Sequence, residues 1–291
     1  MHPLLEKQLA AGPVVTDGAW GTQLQERGLG SGEFPDQWNL THPDKVGEVA
    51  AAYVQAGSQV ILANTFGANR PRLAAHHLEA KAVEINRAGV QISKQAAGGK
   101  ALVFASIGPS GKMLLAGEVT ADELTAAFSE QAQALAAAGA DALVVETMAD
   151  LEEAKLAVVA AKLTGLPVVA CMVFDSGKNK DRTMTGVTPE QAVAGLSAVG
   201  ADVIGANCGQ GIEGFVPICQ RMRAVTTQPL WMKSNAGLPE MENGRVVYRT
   251  TPEAFAAVIP QLVAAGANFV GGCCGTSPAY IRAVVKTLGR G

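Results

Sequence analysis

Short apolar runs alternate with longer amphipathic stretches from one end of the chain to the other. Four of the runs share a pattern: AGSQVILANT (56–65), AGADALVVET (138–147), VGADVIGANC (199–208) and AGANFVGGCC (265–274). Each starts where an Ala-rich helical stretch ends. A glycine follows, at the position where a helix C-terminus takes a left-handed residue. A small residue and a polar one come next, then a run of strand type. Further strand candidates are VVT (14–16), ALVFASI (101–107), PVVACMVF (167–174) and PLWMKS (229–234).

The stretches between carry helical periodicity. ADELTAAFSEQAQALAAAG sets Leu124, Phe128, Ala132 and Leu135 on one face. TPEQAVAGLSAVG and TPEAFAAVIPQLVAAG each open on Thr-Pro-Glu, a helix start with Thr as N-cap and Pro in the first turn. SPAYIRAVVKTLG opens the same way from Ser277. Eight strand candidates, each followed by a helix, imply a parallel sheet with right-handed crossovers. Eight such units in 291 residues predict an α/β fold, a (β/α)8 TIM barrel forming one domain over residues 1–291. An open doubly wound sheet is the competing architecture. It is weakened because no G-x-G-x-x-G follows the first strand.

The connections are unequal. Those from helix to strand are short, whereas several from strand to helix are long and polar: 17–42, 64–76, 108–119, 175–187 and 235–250. In a barrel the strand-to-helix loops build the active-site face. Ligand chemistry is therefore expected at the strand C-termini.

Composition adds exclusions. With 48% hydrophobic residues the chain can bury a sizeable core without cross-links. A formal net charge of −3 with scattered Lys and Arg offers no basic stripe for nucleic acid and no polybasic run for an anionic membrane. No run reaches the ~18 apolar residues of a membrane span. The opening MHPLLEKQLAAG breaks its apolar stretch with Glu6 and Lys7, unlike a signal peptide. The expected compartment is the cytoplasm, where thiols stay reduced, and five cysteines, an odd number, argue against a disulfide framework. The oligomeric state, a homo-oligomer included, stays open.

The aligned runs end on Asn64-Thr65, Glu146-Thr147, Asn207-Cys208 and Cys273-Cys274, all at strand C-termini. Asp17 follows the first strand and Asn235 the seventh. Cys208 closes the sixth strand and Cys273-Cys274 the eighth. Both flank the seventh, so the three thiols are expected to approach at one end of the barrel. Three thiolates with an open fourth position fit a catalytic zinc site, since a structural site takes four protein ligands. Sulfur ligands also favour zinc over magnesium, calcium or manganese. Two small core residues, or a vicinal disulfide, are the other readings of the pair. Cys171, mid-strand, and Cys219, in a helix, read as core residues. His42, His76 and His77 lie in other loops and are not needed as ligands. Asp17 reads as a turn cap or as a functional carboxylate. Glu146 ends an apolar run at the barrel mouth, where an unpaired carboxylate is costly, so it should face a cation, a donor network or a substrate. Asn64, Thr65, Asn207 and Asn235 read equally as structural hydrogen-bonders or as site residues.

Seven motifs, in order, resemble the homocysteine S-methyltransferase family. That family includes the homocysteine-binding barrel of cobalamin-dependent methionine synthase, the betaine enzyme and the S-methylmethionine enzymes. The motifs are DGAWGTQLQERG (17–28), ANTFGANRPRL (63–73), SIGPSGKML (106–114), VVETMADLEEA (144–154), GANCG (205–209), SNAGLP (234–239) and GGCCGTSPAYIRAV (271–284). The resemblance covers nearly the whole chain. It implies a TIM barrel with zinc on Cys208, Cys273 and Cys274, and homocysteine as the acceptor. It further implies that Asp17 and Glu146 bind the homocysteine ammonium, and that Ser106, beside the GPSG loop, helps seat the amino acid. The implied reaction is attack of a zinc-held homocysteine thiolate on the methyl group of an activated donor, giving methionine.

The chain ends shortly after Cys274, so no folate barrel or cobalamin domain is expected to follow. The donor is then expected to be a small sulfonium or betaine, or a methylcobalamin or methylfolate delivered by a separate protein such as a corrinoid protein. A zinc- and homocysteine-binding subunit of such a system is the alternative to a self-sufficient enzyme. A different thiol or selenol is the alternative acceptor. Trp20 reads as packing its loop or as stacking on a cationic donor.

Overall fold

A computed structural model describes residues 2–242 and 245–290. The barrel strands are β1 (Val14–Val15), β2 (Val60–Leu62), β3 (Leu102–Ile107), β4 (Ala142–Met148), β5 (Val168–Met172), β6 (Val203–Gly211) and β7 (Leu230–Asn235). A separate antiparallel hairpin, β8 (Glu240–Glu242) and β9 (Arg245–Val247), stands in the following loop, and β10 (Ala267–Gly272) completes the barrel. The eight barrel strands are parallel, in the order β1-β10-β7-β6-β5-β4-β3-β2, with helices between them. The expected (β/α)8 barrel is the fold. Among the described residues no helix is long and apolar enough to cross a membrane.

At the seam, β1 and β2 are not ladder neighbours among the described residues. Gln59 bridges them: its N–H donates to the Val15 carbonyl at 2.8 Å, and its side chain accepts from Val15 N at 3.0 Å. Further up, Asp17 Oδ2 accepts from Leu62 N at 2.7 Å, a carboxylate standing where a strand carbonyl would be.

The polar residue of the sequence repeat has one role four times over. Gln59, Asp141 and Asp202 stand just before the barrel strands β2, β4 and β6, and Asn268 is the second residue of β10. Each accepts from an N–H at the start of the strand before: Val15, Val103, Val168 and Leu230, at 3.0, 2.7, 2.8 and 2.9 Å. Donors that the ladder would leave orphaned are satisfied this way. The repeat glycines, Gly57, Gly139, Gly200 and Gly266, have φ of 98°, 92°, 87° and 111°, the left-handed values expected just after a helix. Thr188, Thr251 and Ser277 cap the helices that follow them, as their motifs predict.

Strand parity divides the core in two. Val60, Phe104, Val144, Cys171, Trp231 and Phe269 fill the barrel, and Leu5 of the N-terminal helix Pro3–Leu9 packs among them. Their neighbours, Val103, Val145 and Ala170 among them, face outward against helices that present Leu124, Phe128 and Cys219. Both cysteines read as core are therefore core. The Trp231 ring lies between Phe104 and Phe269, with centroids 6.0 and 5.2 Å away. Continuing the inward parity two residues beyond Phe104, Val144 and Trp231 reaches Ser106, Glu146 and Lys233. These belong to the layer just above the apolar core, at the strand C-termini.

The Trp231 backbone needs a narrow neighbour. A Cβ on Gly205 would stand 1.9 Å from the Trp231 carbonyl oxygen. Gly205→Ala is expected to destabilise by about 3 kcal/mol, the cost of forcing volume into a packed core. Gly47→Ala, in the helix Pro43–Gln55, meets nothing closer than Ile92 Cγ2 at 3.6 Å. It should be neutral or stabilise by up to about 1 kcal/mol through helix propensity. Calorimetric melting of both variants checks the pair, and an unshifted Gly205→Ala transition would contradict the packing.

Candidate metal centre and substrate cavity

The adjacent cysteines follow directly on β10. Cys273 N donates to Ser234 O at 2.6 Å, Ala236 N donates to Cys274 O at 2.9 Å, and Thr276 Oγ1 donates to Cys273 O at 2.7 Å. The chain then turns at Gly275, with φ of 80°, beneath Tyr248 of the long loop after β7. A Cβ there would lie 2.2 Å from the Tyr248 ring. No other residue type fits that turn.

Cys208 lies in β6 where its register against β7 shifts, and its φ is 63°. Thr147 has φ of 59° at the matching irregularity of β4. Left-handed conformations are strained for residues with a Cβ, and such strain gathers at functional sites. With this backbone, Cys208 Sγ lies 3.7 Å from Cys274 Sγ, and all three sulfurs lie within 4.8 Å of one another. All three cysteines are free. A tetrahedral ion with bonds of ~2.3 Å to sulfur needs sulfur–sulfur edges of ~3.8 Å. The Cys208–Cys274 pair has that spacing, no pair exceeds it by more than about 1 Å, and the soft, charge-capable donors fit zinc.

The thiols are coupled. Hydrogen bonds from Cys273 and Cys274 hold the Cys208 thiol far below its ordinary range. Their own interactions with Cys208 push Cys273 and Cys274 upward. One thiolate supported by two thiols is the arrangement these directions describe. Asn235, buried and outside the cavity lining, adds a hydrogen bond that favours the Cys208 thiolate. Tyr248 reaches the Cys274 sulfur, and burial followed by the nearby thiols pushes its own hydroxyl upward.

Glu146 is held on both oxygens. Ser106 Oγ donates to one, and Asn207 Nδ2 donates to the other at 3.1 Å. Asn207 also donates to Thr147 Oγ1 at 2.7 Å, accepts from Thr147 N at 2.7 Å, and faces Cys273 Sγ at 3.9 Å. It thereby ties the carboxylate to the thiol centre. Burial raises the Glu146 carboxyl, opposed by the Lys233 charge and the Ser106 hydrogen bond.

Lys233 is the site residue that sequence reasoning passed over. Its Nζ lies 2.5 Å from Asp17 Oδ1, with the two side chains 2% and 0% exposed. Burial works against its charge, but the Asp17 and Glu146 carboxylates more than compensate. The available signal was parity: Lys233 lies two residues beyond Trp231, so an inward Trp231 makes Lys233 inward as well. Asp17 Oδ2 accepts from Leu62 N and from Trp20 Nε1, the latter at 2.8 Å.

A cavity of about 370 Å³ opens over these groups. Trp20, Asp36, Leu62, Asn64, Phe66, Thr147 and Gly272 line it, together with Glu146, Lys233 and the three cysteines. Asp17, Ser106, Thr65 and Asn207 stand behind that lining. Thr65 Oγ1 donates to Ser106 O at 2.8 Å. The Asn64 amide, although at the cavity, donates to Pro35 O and Asn39 Oδ1 at 2.9 Å each and so holds the 17–42 loop. Trp20 both packs on the core and lines the cavity.

A barrel with three converging thiols and a buried carboxylate at its strand C-termini defines a class that handles a thiol, a metal or both. The homocysteine S-methyltransferase model matches residues 14–288, and the chain belongs to that family. It is 30% identical over 297 residues to methionine synthase of Mycobacterium tuberculosis (strain ATCC 25618 / H37Rv), covering 94% of this chain and 24% of that protein. Identity to methionine synthase of Mycobacterium leprae (strain TN) is 29% over 302 residues, 98% of this chain and 25% of that protein. The chain thus spans about a quarter of these curated relatives. The metallated form of the homocysteine methyltransferase MmuM from Escherichia coli has the same fold. Its TM-score is 0.80 at 24% identity over 97% of both chains.

Asp36, in the one-turn helix Pro35–Gln37, was also not anticipated. It accepts from Gly67 N at 2.8 Å, and burial raises its carboxyl from 3.8 to about 7. An acid raised on folding binds its proton more tightly in the folded state, so stability falls as pH rises between those two values. Asp36→Asn keeps the acceptor without the charge. It should stabilise the protein at pH 8 by on the order of 2 to 4 kcal/mol, because each tenfold gain in proton affinity is worth about 1.4 kcal/mol. Near pH 4 it should leave stability unchanged. Denaturant melts at both pH values check this, and an equal effect at the two would remove Asp36 as the cause.

Proposed function

We propose that this protein is a zinc-dependent enzyme that moves a methyl group from an activated donor to the sulfur of homocysteine, giving methionine. The observation that carries this reading is three sulfurs within 4.8 Å of one another, facing one cavity with a held carboxylate. When bound, zinc would supply a positive centre that favours the thiolate form of an incoming thiol. Cys208, Cys273 and Cys274 would hold it and leave one position open to the cavity. Glu146, its two oxygens fixed by Ser106 and Asn207, would take the substrate ammonium. Asp17 would contribute its charge from behind Lys233. Leu62, Phe66 and Trp20 keep much of the remaining wall apolar, which limits water at the sulfur. Free thiols suit a reducing compartment such as the cytoplasm.

Two donor classes stay within this proposal. A small sulfonium or betaine could enter the cavity itself. Alternatively, methylcobalamin or methylfolate is delivered by a separate protein, and the barrel acts as the zinc- and homocysteine-binding subunit. One observation favours the second class. Exposed Met113, Leu115, Met184, Leu238, Met241 and Val246 all lie on strand-to-helix loops, at the end where a donor protein would dock.

Metal analysis and homocysteine titration test the site. Wild type is expected to hold close to one zinc per chain, and Cys208→Ala little or none. Glu146→Gln should keep its zinc while homocysteine affinity falls roughly 10- to 100-fold, the range for losing a charged hydrogen bond. Zinc retained by Cys208→Ala, or lost from Glu146→Gln, would contradict these roles. A panel of S-methylmethionine, dimethylsulfoniopropionate, betaine, methylcobalamin and methylfolate then separates the donor classes.

A further inference from the structure

The Lys233 ammonium has more hydrogen-bonding capacity than its surroundings use. An ammonium carries three donors. Among the described residues Nζ makes one hydrogen bond, to Asp17 Oδ1, and otherwise meets the Trp231 ring, whose centroid is 5.9 Å away. The side chain is 2% exposed and still lines the cavity. Buried charged donors without acceptors are costly, so the spare N–H groups call for an acceptor inside the cavity. Neither carboxylate supplies one. Asp17 Oδ2 already accepts from Leu62 N and Trp20 Nε1, and the Glu146 oxygens, which accept from Ser106 and Asn207, receive no hydrogen bond from Nζ among the described residues.

Apart from the Asp36 carboxyl, which accepts from Gly67 N, the cavity lining presents one ammonium, Lys233, and one carboxylate, Glu146, together with the three sulfurs. That charge pattern is complementary to a zwitterion carrying a thiol arm. We propose that Lys233 binds the α-carboxylate of the acceptor and selects amino-acid thiols over thiols without a carboxylate. Glu146 takes the α-ammonium, and the thiol arm points at the cysteines. Asp17 is then a positioning residue: it fixes Nζ and does not itself touch the substrate. This inference rests on the acceptor reading above.

Calorimetric titration of the zinc-loaded protein tests it with three thiols. They are L-homocysteine, 3-aminopropane-1-thiol, which lacks the carboxylate, and 4-mercaptobutanoate, which lacks the amine. Wild type should bind homocysteine at least ~10-fold more tightly than the aminothiol, the least expected of a charge-assisted hydrogen bond. In Lys233→Met that ratio should shrink to within about threefold. Asp17→Asn/Lys233→Met removes both charges and serves if the single variant leaves Asp17 too costly to fold around. Glu146→Gln should weaken both amine-bearing thiols and leave their ratio intact. A wild-type ratio near one, or a ratio unchanged in the double variant, overturns the proposal. If wild type ignores homocysteine but binds 4-mercaptobutanoate through Lys233, the homocysteine reading fails and the carboxylate site stands. If wild type binds neither acid, both fail.

Discussion

Three sulfur atoms within 4.8 Å of one another cannot all carry charge unless a cation stands among them. Their hydrogen bonds to one another lower the Cys208 thiol and raise those of Cys273 and Cys274. The surrounding backbone is shaped to hold the sulfurs at that spacing regardless. Cys208 accepts a left-handed φ of 63° at a register shift, and Gly275 gives up any side chain so that Tyr248 can close over the turn. Strain of order 1 to 3 kcal/mol at such a residue persists only where the surroundings over-determine it. Here they do: β7 sits between the two thiol-bearing strands and accepts the Cys273 N–H.

The same logic governs the charges beside the thiols. Asp17 and Glu146 are both buried, and two carboxylates with no cation between them would repel and neutralise. Lys233 answers that cost from within the chain, with Asp17 as its close partner. Asp17 in turn spends its second oxygen closing the barrel seam through Leu62 N. One side chain thus couples fold closure to site electrostatics, so its removal would disturb both at once.

Much of this was legible because the chain repeats itself. Four runs in one register align their last two residues. A parallel barrel converts that alignment into proximity, bringing Cys208, Cys273 and Cys274 together from two strands flanking a third. The glycines and N-caps were legible for local reasons, since φ sign and cap chemistry depend on neighbours in sequence. Lys233 was not, because PLWMKS resembles any strand with a polar end until Trp231 is known to face inward. The β8–β9 hairpin was read only as loop 235–250, since three-residue strands carry too little periodicity to register. Tyr248 was hidden with it. For Asp17 the two sequence readings, turn cap and functional carboxylate, both omitted the third role that the seam gives it. Thr65 aligned with Cys208 and Cys274 in the repeat, yet it turns to Ser106 O instead of the cavity.

The central claim is that the three thiols form one metal centre with a position open to the substrate's sulfur. X-ray absorption at the zinc edge measures this directly by counting sulfur neighbours. The expected result is three sulfurs and one lighter atom in the zinc-loaded protein, rising to four sulfurs when homocysteine is added. A sulfur count that stays at three with homocysteine bound, or a count of two in the loaded protein, would contradict the account.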